Sequence, residues 1–359
     1  PEGRRVAIIG SGGGKDIVGA LLFRPEKVVA IEINPILVED FAQGLFRGFT
    51  GGIYDHPRVR AIVGDARSEL DLLDDRFDLI IANSVATWAA HSSGAMNLSE
   101  QNLFTDAAFR IYFERLKPGG ILSFSLWDDD EHAIILRLFA TARAATEGRD
   151  IAPLASRVAV IANRWDDGGI FSTTLISNSP LKKEQVALLQ ELADTLGFEL
   201  LYVPGGAQPA DNVFRRYFQD PEGFVRAFRY NIDAPTDDRP FFFYTLRLRD
   251  ALRIWDRVAR TENAAYFSLV FTMLFVSVLV AVVLGLPLWH ARRHAGLHGG
   301  LSGRDVIYFA CLGCAFMLIE ISLIQQLTLL LGHPTYALTV VLFALLLSSG
   351  LGSFWASLW

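Results

Sequence analysis

The sequence predicts an α/β domain with a mainly parallel sheet, followed by three membrane-spanning helices. Two observations predict the domain: short apolar runs alternate with segments of helical periodicity, and the first run ends in the glycine-rich turn Gly10–Gly14. A third predicts the membrane part: long uncharged stretches begin after Glu262 and continue to the end of the chain.

The predicted strands follow in chain order. The first four are apolar on both faces, as parallel strands covered by helices must be: Arg5–Gly10, Val28–Ile33, Val59–Val63 and Phe77–Ala82. A fifth strand, Ile121–Leu126, follows the helix stop at Lys117-Pro-Gly-Gly120. An antiparallel pair and an edge strand come last: Val158–Ala162, Ile170–Ile176 and Leu200–Val203.

The segments between the strands have helical spacing and helix-start signals such as Pro35. The predicted helices are Asp16–Phe23, Pro35–Phe46, Thr105–Leu116, Glu131–Thr146, Lys182–Leu196 and Pro221–Phe228.

We therefore divide the chain into a domain over residues 1–204, a connecting segment over 205–262 with an arginine-rich juxtamembrane helix, and a membrane region over 263–359. The expected spans are about 266–288, 306–331 and 336–358, each long enough to cross a bilayer. Because Pro1 lies just before a strand and Trp359 ends an apolar run, we expect a segment of a longer protein.

The distribution of charged residues predicts whether the chain binds nucleic acid and on which side of the membrane the domain lies. The net charge of −6 provides no basic patch of the kind that nucleic acid needs, so we expect no nucleic-acid partner. Five arginines precede the first span and three follow it, from which we expect the domain on the cytoplasmic side of a bacterial inner membrane.

Cys311 and Cys314 fall inside an apolar span. We interpret them as small packing residues and not as a metal or redox site.

The glycine-rich turn predicts ligand binding. It lies where a strand passes into a helix, and glycines let the backbone approach a ligand at the free N–H groups of the helix. It is not a phosphate-binding P-loop, because Lys15 is followed by Asp16 and not by Ser or Thr. The spacing of Gly10, Gly12 and Gly14 also departs from the dinucleotide fingerprint, which makes a dinucleotide less favoured.

Two carboxylates fall at strand ends of the same sheet edge. Glu32 closes the second strand, about 20 residues past the glycines, where a carboxylate accepts hydrogen bonds from both ribose hydroxyls. Asp65, in Gly64-Asp-Ala66, closes the third strand and is a candidate acceptor for an adenine amino group.

In this order, these features resemble the Rossmann-like class I S-adenosylmethionine-dependent transferases, and among them the spermidine-synthase-like branch. The resemblance covers roughly Arg4–Trp127 and is carried by Ile9-Gly-Ser-Gly-Gly-Gly14, Ala30-Ile-Glu-Ile-Asn-Pro35, His56-Pro-Arg-Val59, Gly64-Asp-Ala-Arg67, Arg76-Phe-Asp-Leu-Ile-Ile81 and Leu116-Lys-Pro-Gly-Gly-Ile-Leu122. The later motifs Thr236-Asp-Asp-Arg-Pro240, Phe316-Met-Leu-Ile-Glu-Ile-Ser322 and Leu331-Gly-His-Pro334 are similar to multi-spanning bacterial membrane proteins that carry such a domain.

The resemblance implies roles for individual residues. Gly10, Gly12 and Gly14 would face the methionine part of S-adenosylmethionine or its decarboxylated form, and Glu32 would bind the ribose. Asp65 and Ala66 would face the adenine, while Asp16 would meet the amino group of the cofactor. No metal is implied.

The chain departs from the branch after the fourth strand. Spermidine synthases have an Asp there that helps deprotonate the attacking amine, and this chain has Asn83. An amide cannot act as a carboxylate base, so the sequence favours methyl transfer to an apolar or membrane-associated small-molecule acceptor. Asn83 would then bind cofactor or substrate, and His91 is the candidate base, although a loop histidine is more often a surface residue.

Two alternatives stay open. One is aminopropyl transfer to a polyamine from decarboxylated S-adenosylmethionine, and the other is a membrane sensor or carrier that binds the cofactor without turnover. A homodimer is one possible assembly, and the bilayer is an expected partner.

Two further acidic sites have two interpretations each. Glu320, in an apolar span, is a functional candidate or a helix-packing hydrogen-bond partner. Asp237 and Asp238 either close a substrate pocket over the sheet or cap the helix that leads to the membrane.

Overall fold

The computed structural model describes residues 3–83, 85, 100–128, 131–165, 169–206, 209, 211–245, 247, 264–294, 303–331 and 334–356. Two compact units make up the chain, Pro1–Thr272 and Met273–Trp359.

One eight-stranded sheet forms the centre of the first unit. Its strands are β1 Arg5–Ile9, β2 Lys27–Glu32, β3 Val59–Val63, β4 Phe77–Asn83, β5 Leu116–Asp128, β6 Val158–Arg164, β7 Ile170–Ser177 and β8 Glu199–Tyr202. The strand order is β3-β2-β1-β4-β5-β7-β6-β8. The pairs among the first five strands are parallel, whereas β7 is antiparallel to β5 and β6, and β8 is antiparallel to β6. The predicted Rossmann-like α/β class is confirmed, including the antiparallel pair and the edge strand.

Eleven helices of seven or more residues occur in the described part of the chain. They are α1 Lys15–Leu21, α2 Ile36–Leu45, α3 Ala66–Leu72, α4 Asp106–Arg115, α5 Ala133–Ala145, α6 Lys183–Leu196, α7 Val213–Gln219, α8 Pro221–Ala227, α9 Ala264–His294, α10 Gly303–Leu331 and α11 Pro334–Ala356. The predicted helices of the domain are therefore present, with ends within a few residues.

The core has two layers, one on each face of the sheet. Alternate residues of β1 point to opposite faces and so contribute to both layers. Val6 and Ile8 pack with α1 and α2 on one face, in a cluster with Ile17 and Val38. Residues of the other face, including Ala7 of β1, belong to a larger cluster with α3, α4 and α5. Burial on both faces explains why these strands read as continuous apolar runs.

The described part of the predicted connecting segment packs into the first unit. Phe214, Phe242 and Phe243 are at most 2% exposed and join the larger cluster. The buried Arg137 of α5 donates to the main-chain oxygens of Asp233 (3.0 Å) and Phe242 (2.9 Å). The compact unit therefore continues past residue 204, because aromatic residues scattered through polar sequence show no period and can still fill a core. The arginine-rich juxtamembrane helix lies outside the described residues, apart from Arg247.

The second unit contains the apolar helices. Two of them hold stretches long and apolar enough to cross a membrane, Ile307–Ile324 in α10 and Tyr336–Trp355 in α11. The apolar stretch of α9, Phe271–Pro287, is shorter. Helices occur at all three predicted spans, and crossing length is supported for the second and third.

Candidate functional site

The glycine turn connects β1 to α1 in a left-handed conformation. The φ angles of Gly10, Gly12 and Gly14 are 68°, 49° and 89°. At Gly14 the φ of 89° favours glycine, and the Ile53 side chain would have to shift to admit a Cβ. A Cβ at Gly13 would meet none of the described residues within 4 Å, so they leave the middle of the turn open to a ligand.

Tyr54 holds the glycine turn in place. Its buried hydroxyl donates to the carbonyl oxygen of Gly12 over 2.5 Å and lies 3.0 Å from Ser11 Oγ. Burial raises the pKa of Tyr54, so the phenol stays protonated and able to donate. Tyr54 could not be predicted from the sequence, because no motif links a tyrosine in the short turn Ile53–Asp55 to Gly12, 42 positions earlier.

Glu32 lies beside the turn, at the end of β2, and is 7% exposed. Its Oε2 accepts from the N–H of Gly12 at 2.8 Å and its Oε1 accepts from the N–H of Asn34 at 3.0 Å. These bonds orient the Glu32 carboxylate, and each oxygen keeps a lone pair for a further donor.

Asp65, just after β3, caps helix α3, since its Oδ1 accepts from Ser68 N at 2.9 Å. The next residue, Ala66, is 8% exposed.

Asn83 and Asp16 lie together, which the sequence did not reveal. The side-chain amide of Asn83, at the end of β4, donates to Asp16 Oδ1 at the start of α1 over 3.1 Å. The other amide atom, Asn83 Oδ1, is buried and has no hydrogen-bond partner among the residues that the structure describes. A buried carbonyl oxygen without a donor costs about 1–3 kcal/mol, so this atom is suited to a ligand N–H or O–H.

Asp237 fixes the later segment to the sheet domain. Both its oxygens accept from the guanidinium of Arg67, at 2.8 and 2.6 Å, and Thr105 Oγ1 donates to Oδ1 at 2.7 Å. The Arg67 guanidinium lowers the pKa of the Asp237 carboxyl, with the Thr105 hydrogen bond adding to the effect. The sequence predicts that Asp237 either closes a pocket over the sheet or caps the helix that leads to the membrane. Its contact with Arg67 favours the first of these interpretations.

A second polar pair, also missed, lies at the carboxyl end of β5. His132 Nδ1 and Asp128 Oδ2 are 2.6 Å apart, and both side chains are buried. Because Asn83 pairs with Ser125 in the sheet, Asp128 lies three residues further along the same edge. His132 has a φ of 57°, unusual for a residue with a side chain, at the start of α5.

Two predicted candidates belong to other parts of the chain. His91 lies outside the described residues, and Glu320 is half-buried on α10 of the second unit. The side chains searched contain no group of metal ligands within the described ranges. A cleft of about 660 Å³, lined by Arg157 and Tyr217 among others, lies at the opposite edge of the sheet. Its position follows from Ser177, whose N–H donates to the carbonyl oxygen of Arg157 and which pairs with Ile121 in the first half of β5.

The comparisons with known proteins agree with the predicted resemblance. No protein-family model matches the chain. The chain is 30% identical to the polyamine aminopropyltransferase of Thermococcus onnurineus (strain NA1) over 122 residues, which are 34% of this chain and 39% of the relative. The match thus spans well under half of the relative's length.

Two solved structures are also similar. Spermidine synthase from Thermotoga maritima is 18% identical, with 71% of this chain and 69% of that chain covered and a TM-score of 0.38. A probable spermidine synthase from Corynebacterium glutamicum ATCC 13032 is 19% identical, with 65% and 72% covered and a TM-score of 0.41. The partial match to the aminopropyltransferase supports the spermidine-synthase-like part of the resemblance. The multi-spanning membrane form is not supported, since two helices in the described part of the chain hold stretches of crossing length.

Proposed function

We propose that this chain is a spermidine-synthase-like transferase that moves an aminopropyl group from decarboxylated S-adenosylmethionine to an amine. The observation that carries the proposal is the Asp16–Asn83 pair beside the glycine turn, where a carboxylate meets a buried carbonyl oxygen that has no partner among the described residues. Both are hydrogen-bond acceptors, and an ammonium group is the donor that such a pair recognises. The similarity to a polyamine aminopropyltransferase supports this reading over methyl transfer.

The residues around the turn fit a nucleoside. Glu32 would accept from the ribose hydroxyls through its remaining lone pairs, and the open space at Gly13 would admit the chain between sulfur and amino group. Asp65 and Ala66 would lie at the adenine. The bound cofactor supplies a carbon activated by the neighbouring sulfonium, and the protein aligns the acceptor with it.

In this proposal, Asp16 and Asn83 hold the ammonium of the aminopropyl group. Asn83 orients Asp16 and cannot itself take a proton, so the proton of the attacking amine passes to another group. His91 remains the candidate base from the sequence.

Methyl transfer is the second candidate, and the amide at position 83 favours it. Where the related synthases have an acid, this chain presents a neutral side chain, and in-line methyl transfer depends chiefly on alignment. A membrane sensor or carrier that binds the cofactor without turnover is the third candidate function.

We also propose that the protein is held in the bacterial inner membrane with the first unit on the cytoplasmic side. Support comes from the apolar stretches of α10 and α11 and from the arginines before the first predicted span. A small-molecule acceptor and a homodimer belong to the same proposal.

The nucleoside product separates these functions. Membranes that contain the full-length protein are incubated with each form of the cofactor and an amine acceptor, and the nucleosides are identified by mass spectrometry. We expect 5′-methylthioadenosine from the decarboxylated form only. S-adenosylhomocysteine from the ordinary form would instead support methyl transfer, and tight binding with neither product would support the sensor.

A further inference from the structure

Helix α2 has both buried and exposed apolar side chains. Val38 and Ala42 point into the core and are at most 2% exposed. On the outer side, Phe41 and Leu45 are exposed, Leu45 to 86%. Large apolar side chains exposed next to a buried apolar pair are a feature of surfaces that contact a partner.

Exposed apolar side chains continue beyond both ends of the helix. Phe41 and Leu45 lie on α2, Ile33 precedes it and Phe49 follows it, and all four side chains are exposed. We call the set Ile33, Ile36, Phe41, Leu45, Phe46 and Phe49 the α2 apolar surface; its rings Phe41 and Phe46 stack with centroids 4.1 Å apart, and Phe49 is 90% exposed. Exposed apolar groups in this number mark a site of interaction.

The α2 apolar surface begins at the candidate site. Ile33 directly follows Glu32, whose carboxylate accepts from the N–H of Gly12. The strand order places β2, with α2 after it, next to the edge strand β3, at the end of the sheet remote from β8. Whatever covers this surface therefore lies beside the glycine turn.

We propose that the α2 apolar surface docks on the lipid bilayer, so that the candidate site opens at the membrane interface. The chain itself indicates this occupant: α10 and α11 hold stretches that can cross a membrane, and they would keep the first unit within reach of the bilayer surface. This inference rests on the proposed membrane location and adds a contact that the location alone does not require.

The charges on the surface determine the kind of docking. Glu39 and Asp40 are exposed on the same helix, and Arg47 is already paired with Asp55 at 2.7 Å. Without an excess of basic side chains, anionic headgroups gain little here, so docking depends on the insertion of apolar side chains into the interface. It should occur on zwitterionic lipid and resist salt.

Lipid-quenching of a site-specific fluorophore tests the proposal on the full chain. In a background with Cys311→Ser and Cys314→Ser, bimane is attached at Phe49→Cys or at the matched control Leu188→Cys. Leu188 is also an exposed apolar residue, 54% exposed, but it lies on α6, which packs on β8 at the other end of the sheet. Each protein is placed in phosphatidylcholine nanodiscs with or without doxyl-labelled phosphatidylcholine, and circular dichroism verifies the fold.

We expect quenching at position 49 to be about twofold or more stronger than at position 188, and unchanged by high salt. Equal quenching at the two positions in protein that co-purifies with discs would overturn the docking and leave the membrane location intact. Protein that does not enter discs would overturn both. Disulfide crosslinking of Phe49→Cys between copies, without quenching, would assign the surface to a second copy of the chain and overturn the bilayer contact.

Discussion

Asn83 donates a hydrogen bond to Asp16 over 3.1 Å, and this contact links the end of β4 to the start of α1 across 67 positions of sequence. The amide keeps one buried oxygen without a partner in the described structure. A ligand N–H or O–H that reached this oxygen would offset the cost of burying it.

Asn83→Leu tests that cost. The substitution removes the bond to Asp16 and also removes the buried carbonyl oxygen, so the two effects on the free energy of unfolding oppose each other and we expect a net change within about 1 kcal/mol. Nucleoside affinity, in contrast, should fall about tenfold or more, because the variant has lost an acceptor that the ligand satisfies. Urea unfolding and isothermal titration with decarboxylated S-adenosylmethionine measure the two quantities. Unchanged affinity for the nucleoside would show that Asn83 does not contribute to the binding site.

Gly14→Ala and Gly13→Ala form a matched pair in the glycine turn. At Gly14, with φ of 89°, a Cβ would lie 2.1 Å from Ile53 Cδ1, so alanine should lower the free energy of unfolding by more than about 2 kcal/mol. At Gly13 a Cβ meets none of the described residues within 4 Å, so stability should be kept while the added methyl group obstructs the nucleoside. Thermal unfolding and titration distinguish the two. Normal binding by Gly13→Ala would show that the ligand does not approach the middle of the turn.

The Arg67–Asp237 pair should contribute measurably to stability in a double-mutant cycle with Arg67→Gln and Asp237→Asn. Because the Asp237 side chain is half exposed, we expect a coupling of only about 1 kcal/mol at neutral pH. Arg67 lowers the pKa of Asp237 in the folded state, so the coupling is present above the ordinary aspartate pKa of 3.8 and is lost as the pH falls from there through the lowered folded-state pKa. Urea unfolding of the four proteins over this range checks it. A coupling that persists after the carboxyl is protonated would contradict the assignment.

Arg137→Met should be the most destabilising of these changes. The guanidinium is 4% exposed and donates to the carbonyl oxygens of Asp233 and Phe242, which would lose this donor. We expect a loss of about 3–5 kcal/mol in the free energy of unfolding. Arg143→Met on the same helix is the control, since its exposed ion pair with Glu222 is worth at most about 1 kcal/mol. Similar losses for the two variants would mean that Arg137 does not hold the 233–242 segment to the core.

The sequence predicted the parts of this molecule that depend on local patterns. Strands buried on both faces, the strand-to-helix position of Gly10–Gly14 and the strand-end acid Glu32 follow from period, turn chemistry and spacing. Contacts between distant segments could not be predicted in this way. Tyr54 under the turn, Asp237 on Arg67 and Asn83 on Asp16 are polar side chains whose roles depend on which segments meet, and a single sequence records no such pairing.

In the proposed function, Asp16, held by Asn83, receives an ammonium group during aminopropyl transfer. The direct measurement is the rate of 5′-methylthioadenosine release from decarboxylated S-adenosylmethionine by the full-length protein, compared with Asp16→Asn and with Asp40→Asn, a change of an exposed acid on the neighbouring helix α2. We predict release by the wild type and by Asp40→Asn, and a loss of about a hundredfold or more in Asp16→Asn. Equal rates in all three proteins, or S-adenosylhomocysteine as the sole product when both cofactor forms are offered, would contradict it.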